Sequence, residues 1–250
     1  EQFLKDERPV LFSGTPCQIK GLINYLGRGY DNLTTVDVVC HGVPSPMVWQ
    51  RYLATLRAGQ GEITGISFRD KSLSGWRRYD FVVQSTEGEG VRQFYGDNIY
   101  MRGFLHDLYL RPSCYACMAK GGRSQSDLTL GDYWGVERTC PDLDRALDED
   151  KGTSVVMIHS ERGQSLLEGL PCRYQETNYA SAVAGNPAIE HTATEPPKRQ
   201  LFFAQLDAEP LEQLIDRLTT IPLHKRLWRQ LHHLAHRVKL RLRRLAQRSH

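Results

Sequence analysis

The sequence has no apolar run near the roughly 20 residues that a membrane-crossing helix needs, which excludes a helical span. Residues 1–8 are charged and lead straight into Pro9-Val10-Leu11-Phe12, so no secretory signal is read, and the expected location is the cytoplasm. An initiator methionine and any lead-in to that first apolar stretch are missing too, which reads as a lost start or a short member of something longer. No histidine follows the CxxC pair Cys114/Cys117, because Met118 stands there, so c-type haem attachment is excluded. There is no internal repeat, no low-complexity tract and no recognised nucleic-acid-binding motif, and nucleic acid is not an expected partner. Acid is absent from the C-terminal stretch: Arg217 onward holds ten Lys or Arg and no Asp or Glu. Against a net charge of +3, the rest of the chain therefore has seven acids in excess, and the two parts suggest two jobs.

What is present begins with 250 residues of ordinary globular composition, 40% apolar and 24% charged. Residues 10–13 read as a strand, Gly14-Thr15-Pro16 as a turn, and residues 17–26 as a helix with Ile19, Leu22, Ile23 and Leu26 at helical spacing. A second strand at 33–39 and a helix at 47–56 complete a strand–helix–strand–helix order, which predicts parallel pairing. Residues 63–68, 78–84 and 90–95 look like antiparallel strands, 98–110 like a helix, and 127–130 and 154–158 like two more buried strands. The expected fold is α/β with mixed α+β character: a mixed sheet, an antiparallel insertion and a helical C-terminal extension. The expected division is a main α/β domain at 1–175, a linker at 176–208 and a basic amphipathic helical tail at 209–250.

Six cysteines in a chain without a secretory signal point to metal or redox chemistry rather than disulfides. Cys17 and Cys40 occupy equivalent places, each just past the C-terminal end of a predicted parallel strand, the sheet edge where ligands bind. Cys114 and Cys117 bring two more thiols, placed by the pattern in a loop. Four thiolates are what a cubane [4Fe-4S] cluster needs. The first turn of a helix favours an anionic Cys17 sulfur. Arg111, Lys120 and Arg123 flank the CxxC pair and would offset negative charge, and Gly14 and Gly42 would let backbone N–H groups reach sulfur. Zinc competes for the same four thiols, although zinc ribbons draw on two CxxC pairs and this chain has one. A thioredoxin-like dithiol is a further alternative. Cys140 and Cys172 read as small apolar residues.

Gly14-Thr15-Pro16-Cys17-Gln18 and Val39-Cys40-His41-Gly42-Val43-Pro44-Ser45-Pro46 are followed by Ser67-Phe68-Arg69-Asp70-Lys71 with Gly75-Trp76. After them come Arg111-Pro112-Ser113-Cys114-Tyr115-Ala116-Cys117, Ser126-Asp127-Leu128-Thr129-Leu130-Gly131-Asp132-Tyr133-Trp134-Gly135, and Asp150-Lys151-Gly152-Thr153-Ser154. In this order they resemble the C-terminal domain of the coenzyme F-420 hydrogenase/dehydrogenase beta-subunit family, over about residues 9–170. The resemblance implies an iron–sulfur flavoprotein that passes electrons between clusters, a flavin and a partner such as F-420. It implies [4Fe-4S] ligation at Cys17, Cys40, Cys114 and Cys117, and kinship with bacterial versions found beside polysaccharide-synthesis functions. Full-length members carry ferredoxin-type motifs and a Ser/Gly-rich segment that helps hold FAD. Neither is in this sequence, so FAD is expected only with its binding segment supplied from elsewhere. The implied activity is that of an oxidoreductase subunit incomplete alone, working with a redox partner protein or flavin-bearing subunit.

Asp132 and Trp134, beside a predicted strand, are candidates for a flavin or substrate pocket, against the plainer roles of turn cap and core residue. Arg69 and Lys71 are candidates for a flavin's phosphates or a partner's acids, against a solvated strand edge. His41 is a candidate to bond a cluster sulfur or relay a proton, against a structural histidine. Leu223, Leu227, Leu231, Leu234, Val238, Leu242 and Leu245 form one apolar stripe in a basic stretch. Residues 223–247 would therefore dock on an acidic partner or on the inner face of a membrane, with Trp228 at the interface. From another functional class comes the alternative of a non-catalytic zinc- or cluster-stabilised interaction module, docked to a membrane-bound polysaccharide-synthesis complex.

Overall fold

The computed structural model describes residues 2–57, 61–73, 75–142 and 152–220. A short α1 (Gln2–Lys5) precedes β1 (Val10–Gly14), α2 (Pro16–Leu26), β2 (Leu33–Val38) and α3 (Pro46–Arg57). Proline opens α2 at no cost in hydrogen bonds, because the first N–H of a helix has no partner within it. Gly27 ends the helix at φ 65°, a left-handed turn that glycine adopts freely. Next come β3 (Ile63–Asp70), β4 (Asp80–Ser85), β5 (Gly88–Phe94), α4 (Ile99–Leu105), α5 (Pro112–Tyr115), β6 (Leu128–Asp132), α6 (Val136–Thr139) and β7 (Ser154–Ile158).

The strands make two sheets. One has the order β1-β2-β6-β7, with β1–β2 and β2–β6 parallel and β6–β7 antiparallel. The other is an antiparallel β3-β4-β5 meander. The expected α/β architecture with an antiparallel insertion is the one observed. Against the meander, α3, α4 and two later helices, Lys198–Gln205 and Leu211–Thr219, bury an aromatic core of Tyr52, Phe81, Tyr100, Tyr109 and Phe202 with Val48, Leu214 and Ile215. Tyr52 and Tyr100 stack at 5.0 Å with their rings 15° from parallel.

Three local expectations differ from the structure. The helix after Asn98 stops at Leu105, because Asp107 turns the chain at φ 59°, a conformation that Asp tolerates better than most residues. The CxxC pair is not wholly in a loop: Pro112–Tyr115 form one helical turn carrying Cys114. Residues 178–199, within the stretch read as a linker, instead contribute the helix Tyr179–Gly185 and pack against the sheet, with Ala182 and Ile189 buried. Their small side chains serve close approach. A Cβ on Gly185 would stand 1.7 Å from the Trp134 carbonyl oxygen. The stripe at 223–247 lies outside the described residues, and no described helix is long and apolar enough to cross a membrane.

Candidate metal centre

The parallel pairing of β1 and β2 aligns Gly14 with Asp37, so both strands end at the same edge of the sheet. Cys17 follows β1 in the first turn of α2, and Cys40 follows β2. The Gly14 to Gln18 turn is tightened by the Thr15 N–H, which donates to Gln18 Oε1 at 2.8 Å. A Cβ on Gly14 would come within 2.9 Å of that same oxygen. Thr15 Oγ1 lies 3.2 Å from Cys17 Sγ. The α5 turn carries Cys114 to the same edge, where the Val43 N–H donates to its sulfur at 3.3 Å. Glycine's part is therefore indirect. Gly42 makes room for Leu110, whose Cδ1 a Cβ would meet at 2.7 Å, and the donor to sulfur is the next residue.

Cys17, Cys40, Cys114 and Cys117 all line one cavity of about 360 Å³. Cys40, Cys114 and Cys117 are half-buried and Cys17 is exposed. Burial pushes the Cys40 thiol above its ordinary pKa, the Lys120 ammonium pulls it down, and the other three cysteines push it up again. Burial likewise lowers the Lys120 ammonium pKa, while the neighbouring sulfurs support its charge. Lys120 Nζ donates to the carbonyls of Cys40 and Ala188, which ties the segment after Cys117 to the end of β2. Of the other two cations, Arg111 lines a neighbouring cavity and Arg123 Nε donates to Lys120 O at 2.8 Å. Cys140 is buried near Thr177, whereas Cys172 is exposed and not the core residue expected.

The donor set suits a sulfur-ligated group: soft thiols from three chain segments, an N–H bond to one sulfur and a nearby cation. A single tetrahedral zinc, with Zn–S of about 2.3 Å, would draw its sulfurs to about 3.8 Å from one another. Among the described residues, no three His, Cys, Asp or Glu side chains are grouped so as to hold one ion.

His41 and Val43 line this cavity on one side and a larger one, of about 740 Å³, on the other. The larger cavity is mainly aromatic and apolar, walled by Trp49, Phe68, Tyr79, Tyr100, Phe104 and Trp134. Three of the four candidate flavin-site residues, Arg69, Asp132 and Trp134, line it, and Lys71 does not. Arg69 Nη1 bonds Asp132 Oδ2, and its guanidinium packs on Tyr79 and Trp134. Its Nε and Nη2 are buried without a hydrogen-bond partner. Trp134 stacks on Trp76 at 4.5 Å. His41 Nε2 sits 2.7 Å from Asp107 Oδ1, and its ring meets Phe104 edge-on. Asp107 had no signal in the sequence, because its role depends on a left-handed turn. The aromatic walls had none either, since core aromatics look the same.

The family described as the C terminus of the coenzyme F420 hydrogenase/dehydrogenase beta subunit matches residues 7–179. The chain belongs to that family. Among solved structures, it is similar to a chain of the xenon-derivatised F420-reducing [NiFe] hydrogenase complex from Methanosarcina barkeri, at 16% identity and a TM-score of 0.37. That similarity covers 86% of this chain but only 62% of the other. No curated protein matches.

Proposed function

We propose that this beta-subunit-family chain is an electron relay, holding a [4Fe-4S] cluster on Cys17, Cys40, Cys114 and Cys117 beside a seat for a flavin or F-420-like ring. One observation carries the reading: four cysteines from three segments line one cavity, and that cavity shares its His41–Val43 wall with a large aromatic one. A cluster would supply one-electron transfer and a flavin-type ring hydride chemistry. The protein's part is to position and insulate. The Val43 N–H holds Cys114 Sγ, and Lys120 tempers the charge of gathered sulfurs. The aromatic walls make an apolar seat for a ring, with the paired Arg69 and Asp132 side chains at its edge. The redox partner, or a subunit that completes flavin binding, would dock at this edge.

Anaerobic reconstitution with iron and sulfide tests the reading. About four irons per chain and brown absorbance near 400 nm are expected. Cys114→Ser should abolish both, while Cys172→Ser, at an exposed position away from the cavity, leaves them intact. Arg69→Leu should weaken flavin binding at least tenfold without loss of iron. Colourless protein with one zinc per chain would favour the interaction-module reading instead, and four irons in Cys114→Ser would refute the ligand set.

A further inference from the structure

Of the four cysteines around the sulfur cavity, Cys17 alone is exposed, so the site is most open to solvent on the side of α2. Electron transfer falls steeply with distance, and a partner gains most by approaching over this thiol. Met118, next to Cys117 and in the wall of the same cavity, is 75% exposed, and Tyr25, about two turns along α2 from Cys17, equally so. Methionine and tyrosine are side chains that protein interfaces favour at their centres.

Charge sets this edge apart from the rest of the molecule. The segments that wall the cavity, residues 16–24, 40–43 and 113–120, contain Lys20 and Lys120 and no Asp or Glu. Arg111 and Arg123 flank the last of these segments and are both exposed. Lys20 Nζ donates to the Arg123 carbonyl at 3.2 Å, so those two residues adjoin. Asp107, the acid before Arg111, faces His41 at 2.7 Å. Residues 1–216 as a whole carry an excess of seven acids, so these cations collect against the trend of the chain.

We infer that a small acidic electron-carrier protein docks over Cys17, with Met118 at the centre of the contact and Lys20 and Arg123 on its rim. The inference rests on the relay reading, and adds to it the chemistry of the partner and its place of contact. Opposite charge steers the encounter and fixes its orientation. The acid excess elsewhere in residues 1–216 repels the same partner, which leaves this edge as its landing place. An apolar centre as small as Met118 suits the limited contact of a transient redox encounter.

The test is anaerobic isothermal titration of the reconstituted full chain with a plant-type two-iron ferredoxin, an acidic one-electron carrier, with iron assayed on the same sample. Binding is expected at low salt, and raising the salt from about 50 to about 200 mM should weaken it about fivefold or more. Lys20→Glu together with Arg123→Glu should weaken it about tenfold or more, with Tm and iron content unchanged. Should that double variant not fold, Met118→Asp decides, because its side chain stands in solvent and its new charge would face the acidic carrier. The same loss is expected of it. A chain holding about four irons that does not bind the ferredoxin overturns the docking surface and leaves the relay standing. An affinity that the charge reversal leaves intact also overturns it, and would assign the contact to the basic stretch from Arg217 onward. A chain that takes up no iron removes the relay, and this inference with it.

Discussion

The two sheets bury their surfaces by different means. The antiparallel meander rests on aromatic rings and aliphatic side chains contributed by α3, α4 and the helices Lys198–Gln205 and Leu211–Thr219. The four-stranded sheet has smaller apolar clusters, and its buried residues include the polar Thr35, Asp37 and Thr129. Buried polar groups cost stability unless they are partnered, while well-packed rings contribute it. The meander half therefore contributes more of the packing stability, and the other half carries the polar groups near the proposed site.

The sharpest challenge to this contrast is Phe81→Ala. Phe81 is fully buried among rings in β4, and its truncation should cost about 3–5 kcal/mol in denaturant unfolding. Iron bound per folded chain should not change. A variant that stays folded yet loses iron would show that the two halves are not separable. The next largest effect is expected of Gly185→Ala. Its new Cβ would collide with the Trp134 carbonyl, so the backbone at the cavity wall must move, at about 3 kcal/mol. Tryptophan emission should shift as the Trp76–Trp134 stack opens. Unchanged emission together with unchanged stability would mean that the Tyr179–Gly185 helix is not what fixes Trp134.

Much of the four-stranded sheet was legible, because strand–helix alternation leaves a clear pattern and the cysteines follow strand ends. Lys71 was not correctly readable. It shares the parity of Arg69, but β3 ends at Asp70, and beyond a strand's end alternation no longer says where a side chain lies. Asp37 was missed for a related reason. Within Thr34-Thr35-Val36-Asp37-Val38 it looks like the wet side of an alternating strand, whereas a parallel sheet covered on that face buries it. The aromatic cavity depends on residues far apart in the chain, brought together by packing of the meander on α3 and α4 and by the segments after β2 and β6.

The smallest expected effect probes whether charge also steadies the meander. Asp70, at the end of β3, accepts from Arg92 Nη1 at 2.8 Å, and from Ser72. Those bonds, that from Arg92 foremost, hold its carboxyl at about 2 rather than 3.8. A carboxyl depressed by folding contributes stability above its unfolded value, and that contribution fades as pH falls from about 4 toward 2. Asp70→Asn should therefore flatten the acid limb of the stability curve in that window and match wild type at its lower end. The change is expected to be modest and to shrink with added salt, because the pair sits at a partly wetted sheet edge. If the two acid profiles coincide from pH 4 to 2, the Arg92 pairing is ornamental, and the meander owes its stability to packed rings alone.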